Sequence, residues 1–335
     1  MSLERRTDHF ISVVIPCYNE AENLPVLLPR LDAVMRSLPR MDFEILLVDD
    51  GSTDGTAAIM EQFRTQNSRI GYIRFIRNFG HQGALSAGLE HARGDAVLAM
   101  DGDLQHPPEL IPGMVALWRE GYDVVQALRR SQPGLSKSLA SRIFYKVLSG
   151  VSEVPVMDGA ADFRLMSRRA VDSLLALPER SRFLRGLVAW LGFPCTTIPF
   201  DAAPRYAGRS GYTLKKMFSL AEDGIVTLSS APLRLALYSA GVTLLGALAY
   251  GIYTLVIYAR GVGVVRGWAS TIFLILVMGS VNLICTAILG FYLRAALIEL
   301  RRRPNYVVSK YAPPLVSAEG SNVEKERAAP VASRS

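Results

Sequence analysis

The sequence predicts an α/β domain with a doubly wound parallel sheet, followed by two transmembrane helices. Two observations within residues 1–212 predict the domain: short β-branched runs alternate with longer helical stretches, and acidic clusters follow two of these runs. The third observation is that segments 233–259 and 268–293 are almost free of charged residues. A sheet with helices on both faces, joined to a membrane anchor, accounts for all three.

The apolar runs predict five strands, and the stretches between them predict four helices. The strands are 10–16, 43–48, 71–76, 96–100 and 123–128. The helices are 19–38, 53–66, 83–92 and 109–120. Sheets of this kind bind ligands outside the carboxyl ends of their strands, so the residues that follow the strands are the first candidates for a site.

Acidic residues collect at two of these strand ends. Asp49 and Asp50 follow the second strand, and Asp101 and Asp103 follow the fourth. Two carboxylates from one tight turn suit a hard divalent cation, Mg2+ or Mn2+, whose other ligands are water and a diphosphate. Each cluster also has a structural alternative, because Asp-Gly is a common turn pair and Asp caps helices. Their occurrence at two strand ends of one sheet favours a site.

The uncharged stretches 235–259 and 268–293 each exceed the roughly 20 apolar residues that cross a hydrocarbon core. The alternative, two buried helices of a soluble protein, would require a large partner surface to cover both. Basic residues flank the pair on its outer sides: Lys215, Lys216 and Arg234 before it, and Arg294, Arg301, Arg302, Arg303 and Lys310 after it. This bias predicts that the α/β domain and the tail 294–335 are cytoplasmic.

The net charge of +7 would suit either nucleic acid or an anionic membrane surface. The sequence has no zinc-ligand spacing and no helix-turn-helix pattern, so the membrane is the predicted partner and nucleic acid is not. Cys17, Cys195 and Cys285 lie far apart and form neither metal-ligand spacing nor a disulfide framework. A reduced, cytosolic catalytic part is therefore expected.

Seven motifs carry a resemblance to a known family. They are 14–20 (VIPCYNE), 48–56 (VDDGSTDGT), 77–83 (RNFGHQG), 100–108 (MDGDLQHPP), 162–165 (DFRL), 182–186 (RFLRG) and 205–210 (RYAGRS). Together they resemble the family-2 inverting glycosyltransferases, in the polyprenyl-phosphate branch of dolichyl-phosphate mannose synthase and the bactoprenol glucosyltransferases. The resemblance spans residues 11 to about 304. It implies the GT-A type of Rossmann-like sheet and a nucleotide-sugar donor, expected to be UDP-glucose.

The resemblance also implies residue roles. The nucleotide-sugar would be held by Pro16, Tyr18, Glu20, Asp50 and Asp101, and the metal by Asp101 and Asp103. The candidate catalytic residues are Asp103, Gln105, Asp162 and Arg205. His81 is a further candidate for contact with the donor. Asp162 has two interpretations, a contact with the sugar or a structural partner for Arg164.

A polyprenyl phosphate is the predicted acceptor. A phosphate monoester carries close to two negative charges at neutral pH, so it is already a nucleophile and needs cations rather than a general base. The resemblance assigns the lipid phosphate to Arg129, Lys137 and Ser141, with Arg205 bridging acceptor and donor. Many relatives carry Lys where this chain has Gly211. Lys215 and Arg209 are the candidate replacements.

The predicted setting is a bacterial plasma membrane, crossed twice. Segments 136–149 and 213–232 have the pattern of amphipathic helices, which favours the membrane interface once the spans are accepted, and the end of the tail is predicted to be disordered. The resemblance implies a homo-oligomer, since relatives form tetramers, and a role in cell-envelope glycan or lipid A modification. Two alternatives stay open: a membrane glycosyltransferase with another acceptor, either a glycolipid or a growing polysaccharide, and a non-catalytic anchored module.

Overall fold

A computed structural model of the chain describes residues 9–130, 160–179, 184–201, 231–260 and 267–315. The chain divides into two compact units. The first comprises Met1–Tyr145, Pro155–Thr213 and Pro304–Ser335, and the second comprises Lys146–Val154 and Leu214–Arg303.

The described residues of the first unit form one eight-stranded sheet and its covering helices. The strands are β1 His9–Cys17, β2 Met41–Asp49, β3 Ile70–Phe75, β4 Ala96–Ala99, β5 Val124–Arg129, β6 Ala160–Ser167, β7 Cys195–Phe200 and β8 Val308–Ala312. The helices are α1 Leu24–Ser37, α2 Thr56–Gln66, α3 His81–His91, α4 Ile111–Arg119, α5 Arg168–Ala176 and α6 Leu184–Trp190, with a 3-10 turn at Pro108–Leu110 before α4. The strand order is β7-β5-β6-β4-β1-β2-β3-β8.

The five predicted strands are present as β1 to β5, and the four predicted helices as α1 to α4. The largest difference is the start of α1, which begins at Leu24 rather than at residue 19. Asn19 has a φ of 57°, in the left-handed region, so the right-handed helix cannot begin there. The residues before Leu24 form a loop, which places them at the carboxyl edge of the sheet.

The sheet is mixed, whereas the sequence pattern predicts a parallel one. β1 to β4 are parallel to one another through their shared pairings. β6 lies between β4 and β5 and is antiparallel to both, so β5 has the same direction as β4. β8 pairs antiparallel with β3 at one edge. The predicted strands therefore all share one direction, and the antiparallel members are strands that the sequence pattern does not predict.

Helices cover both faces of the sheet, which confirms the doubly wound arrangement. On one face, α1 and α4 pack through Leu28 and Met114 against alternate residues of β1 such as Ile15. On the other face, α3, α5 and α6 pack through Leu85 and Leu174. Burial on both faces explains why the central strands are continuous apolar runs.

The segment that follows the second predicted transmembrane stretch supplies β8 and completes the sheet. Tyr306 stacks on Phe75 with ring centroids 4.9 Å apart, and its hydroxyl hydrogen-bonds Glu90. The amide of Ile76 donates to the carbonyl oxygen of Val307 at 3.1 Å. Residues beyond the predicted spans are thus an ordered part of the α/β domain.

The second unit contains two long helices, α7 Ala231–Ala259 and α8 Trp268–Arg301. Their apolar windows, Ala236–Tyr253 and Val277–Arg301, have mean hydropathies of 1.4 and 1.8, and neither window is buried within the chain. By length and composition, both helices could cross a membrane. Because this chain does not bury them, the alternative of two core helices in a soluble protein has no support within the described residues.

One close contact between α3 and β1 gives a stability prediction. A Cβ added at Gly88 would lie 2.1 Å from Cγ1 of the buried Val14, so the helix packs too closely for any side chain. We expect Gly88→Ala to cost about 1–3 kcal/mol by overpacking. Gly83→Ala, on the same helix, is the matched control, because its Cβ meets nothing closer than 3.4 Å. Thermal unfolding of the full chain in detergent measures both, and equal stability of the two variants would contradict this packing.

A buried carboxylate at the β6–α5 junction predicts a pH dependence. Asp123 accepts a hydrogen bond from Ser167 Oγ at 2.7 Å and pairs with Arg169. Burial raises the pKa of Asp123, but Arg169 and Ser167 lower it by more than burial raises it, so the pKa lies below its ordinary value. The carboxylate therefore contributes stability above the unfolded-state pKa of about 4, and this contribution is lost as the pH falls through the folded-state value.

We accordingly expect Asp123→Asn to lower the melting temperature by about 2–4 °C at pH 7. The difference from the wild type should shrink as the pH falls below about 4, because the unfolded chain takes up a proton there and the folded carboxylate does so only at a lower pH. Asp172→Asn, which removes an exposed carboxylate of α5, is the control and should change the melting temperature little. A difference that stays constant down to pH 3 would contradict the assignment.

Candidate active site

The loops after β1 and β2 are bonded to each other at the carboxyl edge of the sheet. The amide of Asn19 donates to Ser52 Oγ at 3.0 Å, and the amide of Thr53 donates to Asn19 Oδ1 at 2.9 Å. The amide of Glu20 donates to Thr56 Oγ1 at 2.8 Å. These bonds fix two predicted nucleoside residues beside the loop that carries Asp49 and Asp50. Glu20 is fixed directly, and Tyr18, which is 46% exposed, by its position in the chain.

Asp50 fixes a third loop, the one that follows β3. Its buried carboxylate accepts hydrogen bonds from the amides of Phe79 at 2.6 Å and Gly80 at 2.9 Å. Burial raises the pKa of Asp50, and the two amides offset only part of this effect, so the pKa lies above its ordinary value. Gly51 has a φ of 68°, and a Cβ there would lie 2.4 Å from the carbonyl carbon of Arg77. The DDG motif therefore holds a loop, and a contact of Asp50 with the nucleoside stays a prediction.

The second acidic motif forms a tight turn at the end of β4. The Asp103 Oδ1 accepts from the amide of Gln105 at 3.1 Å, and Leu104 has a left-handed φ of 64°. A Cβ added at Gly102 would lie 3.6 Å from Cys17 Sγ and 3.7 Å from Glu20 Cγ. The structure thus brings the Asp101–Asp103 turn against the loop after β1, which carries the predicted nucleoside residues Tyr18 and Glu20.

His106 shapes this turn and is not placed as a proton carrier. Its ring stacks on Phe163 with centroids 4.9 Å apart, and burial lowers the pKa of His106. The Nδ1 atom accepts a hydrogen bond from the amide of Asp101 at 3.0 Å. A neutral imidazole is required for this acceptor role, in agreement with the direction of the shift.

Asp162 lies at the centre of a charged cluster behind the turn. Arg164 Nη2 donates to its Oδ1 at 2.6 Å, and Arg185 Nη2 donates to its Oδ2 at 2.8 Å. The Nε2 atom of His81 lies 3.2 Å from Oδ2 of Asp162 and 3.6 Å from Oδ1 of Asp101. The structural partnership of Asp162 with Arg164 is confirmed by this contact, and a contact with the sugar stays a prediction.

The cluster sets the protonation of its members. Burial alone would raise the pKa of Asp162, but His81, Arg185 and Arg164 hold it well below the ordinary value. Burial lowers the pKa of His81, and the two carboxylates outweigh it, so the pKa of His81 is raised. Asp162 is therefore an ionised group that is neutralised by its neighbours, which makes it a poor proton acceptor.

The Asp101–Asp103 turn fits a divalent cation in one respect. The Oδ1 atom of Asp101 is buried and accepts no hydrogen bond from the described residues, a costly state for a carboxylate oxygen unless a ligand completes it. No group of three or more His, Cys, Asp or Glu within the described residues is arranged to hold a metal. The residues fit a cation that takes most of its ligands from a diphosphate and water, rather than one enclosed by protein.

Arg129 ends β5 on the same edge of the sheet as the acidic turn. Ala99 of β4 pairs with Arg164 of β6, and Arg164 pairs with Gln126 of β5, so β5 continues past the end of β4 and Arg129 lies on the side of the turn that follows β4. Two strand spacings, about 10 Å, separate β4 from β5. Arg129 is exposed, as a group that binds a ligand from solvent or membrane must be.

The structure thus gathers Pro16, Tyr18, Glu20, Asp50, Asp101, Asp103, Gln105, Arg129 and Asp162 on one edge. Lys137, Ser141 and Arg205, together with Gly211 and its candidate replacements, lie outside the described residues. Sequence reasoning assigned no site role to Arg185, although it stands in the RFLRG motif. Its place in that motif is its local signal, and its carboxylate partner, Asp162, lies in β6 and is distant in the sequence.

Comparison with known proteins identifies the family. The profile described as Glycosyl transferase family 2 matches residues 12–175. A Synechocystis protein, named uncharacterized glycosyltransferase sll0501, is 41% identical over 302 residues, which are 89% of this chain and 94% of that protein. The SfII prophage-derived bactoprenol glucosyl transferase of Shigella flexneri is 36% identical over 306 residues, 90% of this chain and 97% of that protein.

Among solved structures, the chain is similar to S. aureus TarS in complex with UDP-GlcNAc, with 22% identity, a TM-score of 0.46 and coverage of 65% of each chain. The resemblance read from the sequence motifs is confirmed by the profile and by the relatives. With 41% identity over 89% of its length to another member, the protein belongs to glycosyl transferase family 2 and is a glycosyltransferase with bactoprenol glucosyl transferases among its relatives.

Proposed function

We propose that this enzyme transfers glucose, with inversion, from UDP-glucose to a polyprenyl phosphate at the cytoplasmic face of a bacterial plasma membrane. The observation that carries the proposal is the similarity to the bactoprenol glucosyl transferase of Shigella flexneri, which extends over 97% of that protein. The match also spans 90% of this chain, so it includes the two apolar helices as well as the catalytic sheet.

The donor would bind at the carboxyl edge of the sheet. Tyr18 is exposed there, and Glu20 lies beside the Asp101–Asp103 turn, so a nucleoside and its diphosphate have adjacent partners. Asp50 contributes by holding the loop after β3 in place. Asp101 and Asp103 would hold Mg2+ or Mn2+. When bound, the cation supplies neutralisation of the charge that develops on the departing nucleoside diphosphate.

The state of Asp162 favours a phosphate acceptor over a hydroxyl. Transfer to a hydroxyl requires a base that removes its proton, and a suitable carboxylate has a pKa near the working pH. Asp162 is buried, carries two arginine contacts and has a pKa well below its ordinary value. A phosphate monoester needs no base, because it is already ionised. The acceptor then requires positive charge, which Arg129 would supply at the sheet edge.

The remaining acceptor residues are proposed from the sequence resemblance. Lys137 and Ser141 would bind the lipid phosphate, and Arg205 would bridge it to the donor, neutralising two anionic partners brought together for the reaction. The two apolar helices and their basic flanks support a chain that crosses the membrane twice, with the catalytic domain in the cytoplasm. Homo-oligomerisation and a role in cell-envelope glycan or lipid A modification are part of the same proposal.

The acceptor assignment is tested with the purified full-length protein. We expect UDP-glucose to label undecaprenyl phosphate and to leave diacylglycerol unlabelled, because only the phosphate can react without a base. Mass spectrometry of the extracted lipid identifies the product, and NMR of the anomeric proton reports its configuration. Transfer to diacylglycerol alone, or a product that retains the donor's configuration, would refute the proposal.

The role of the Asp101–Asp103 turn is tested by a substitution that keeps the shape of the side chain. We expect Asp103→Asn to lower kcat by about 100-fold or more, because a metal ligand for the leaving group is lost. The melting temperature should stay within a few degrees of the wild type. Asp172→Asn, the same substitution at an exposed position of α5, is the control and should retain full activity. Activity that survives both Asp103→Asn and removal of divalent cations by EDTA would contradict the metal role.

A further inference from the structure

Helix α3 begins with a histidine that contacts a proposed metal ligand. We propose that His81 is a positioning residue: held by Asp162, it limits the rotation of the Asp101 carboxylate and so presents that carboxylate to the cation and diphosphate. The inference rests on the proposed metal role of Asp101. It concerns how tightly the cation is bound, rather than the reaction step itself.

The distances around Asp101 carry the first step. His81 Nε2 lies 3.6 Å from Oδ1, and His106 Nδ1 lies 3.8 Å from Oδ2. Both distances exceed the length of a hydrogen bond, so each ring lies beside the carboxylate without hydrogen-bonding to it. Asp101 thus lies between two imidazoles that limit the rotation of its side chain, and its Oδ1 keeps its capacity to accept a ligand.

The second step is that His81 is itself held firmly. Its Nε2 carries one hydrogen, and the shorter distance, 3.2 Å to Asp162 Oδ2, directs that hydrogen to Asp162. Asp162 is in turn fixed by Arg164 at 2.6 Å and Arg185 at 2.8 Å. A ring that is bonded to a buried ion-pair cluster can restrict the rotation of a neighbouring side chain, whereas a mobile ring could not.

The backbone of His81 is fixed from the other side as well. It is the first residue of α3, and the two amides before it, of Phe79 and Gly80, bind the carboxylate of Asp50. The next residue, Gln82, accepts a hydrogen bond from the amide of Leu184 at 3.2 Å. Both acidic motifs therefore contact the region of His81. Asp50 fixes the backbone that precedes it, and Asp101 lies beside its ring.

Outer groups that orient metal ligands typically change metal affinity by 10- to 100-fold when they are removed. We therefore expect His81→Ala to weaken Mn2+ binding in the presence of UDP by about 10- to 100-fold. His81→Gln should recover part of this loss, because its amide nitrogen can donate to Asp162 from a similar position. With saturating metal, kcat should remain within a few-fold of the wild type.

The experiment titrates full-length protein in detergent with Mn2+ and UDP, following free Mn2+ by electron paramagnetic resonance, with thermal unfolding measured in parallel. His91→Gln is the matched control on the same helix, where the ring contacts Ala87 and Tyr311 instead. It should bind Mn2+ as the wild type does. Asp103→Asn is the reference for loss of the site.

Three results would overturn the inference. One is unchanged Mn2+ affinity in His81→Ala with a reduced melting temperature, which would make the residue structural only. Another is unchanged affinity with a large loss of kcat, which would assign His81 to the reacting groups. The third is a wild type that binds no Mn2+ with UDP, which would also refute the metal assignment. Because binding is measured without acceptor, failure of the polyprenyl phosphate proposal leaves this test unaffected.

Discussion

The site depends on the parallel alignment of β1, β2 and β4. Cys17 pairs with Asp49 and Val14 pairs with Ala99, so the chain leaves all three strands within a few residues of the same level. Each strand is followed by a loop that cannot continue the ladder, and the three loops therefore share one edge. The carboxylates and the exposed tyrosine of the site meet because of this register, although they belong to separate stretches of sequence.

Charge at this edge is balanced in two different ways. Asp162 is buried and is matched by two arginines and a histidine, which makes it a fixed part of the structure. Within the part of the chain that the structure describes, Asp101 has an oxygen without a hydrogen bond and longer contacts to two imidazoles. Since an uncompensated carboxylate favours a cation, the difference between these neighbours separates a structural carboxylate from one suited to bind a ligand.

The catalytic sheet contains a strand from beyond the first 200 residues of the chain. β8 and the residues before it follow α8 in the chain, yet they pair with β3 and pack Tyr306 on Phe75. They also support the loop that leads into His81 and α3, because the amide of Ile76 donates to the carbonyl oxygen of Val307. The sheet thus contains a strand that precedes the apolar helices in the chain, β7, and one that follows them, β8. Relatives match the chain over 89% of its length.

Local sequence determined much of this protein. Apolar periodicity predicted β1 to β5 and α1 to α4, because burial on both faces leaves a continuous apolar run and a helix leaves a repeat. The motifs predicted the family and the acidic turns, and the length of two uncharged stretches predicted the helices that could cross a membrane. These signals are readable because each depends on neighbours in the chain.

Tertiary structure decided what depends on distant partners. The insertion of β6 between β4 and β5, and the return of β8 to β3, reverse strand directions that no local pattern specifies. The same holds for His81, because its proposed role depends on its contacts with Asp162 and Asp101 rather than on the residues beside it in the sequence. Contacts between residues far apart in sequence are fixed by the packing of the whole sheet, so only the folded chain reveals which polar groups are satisfied and which remain open to a ligand.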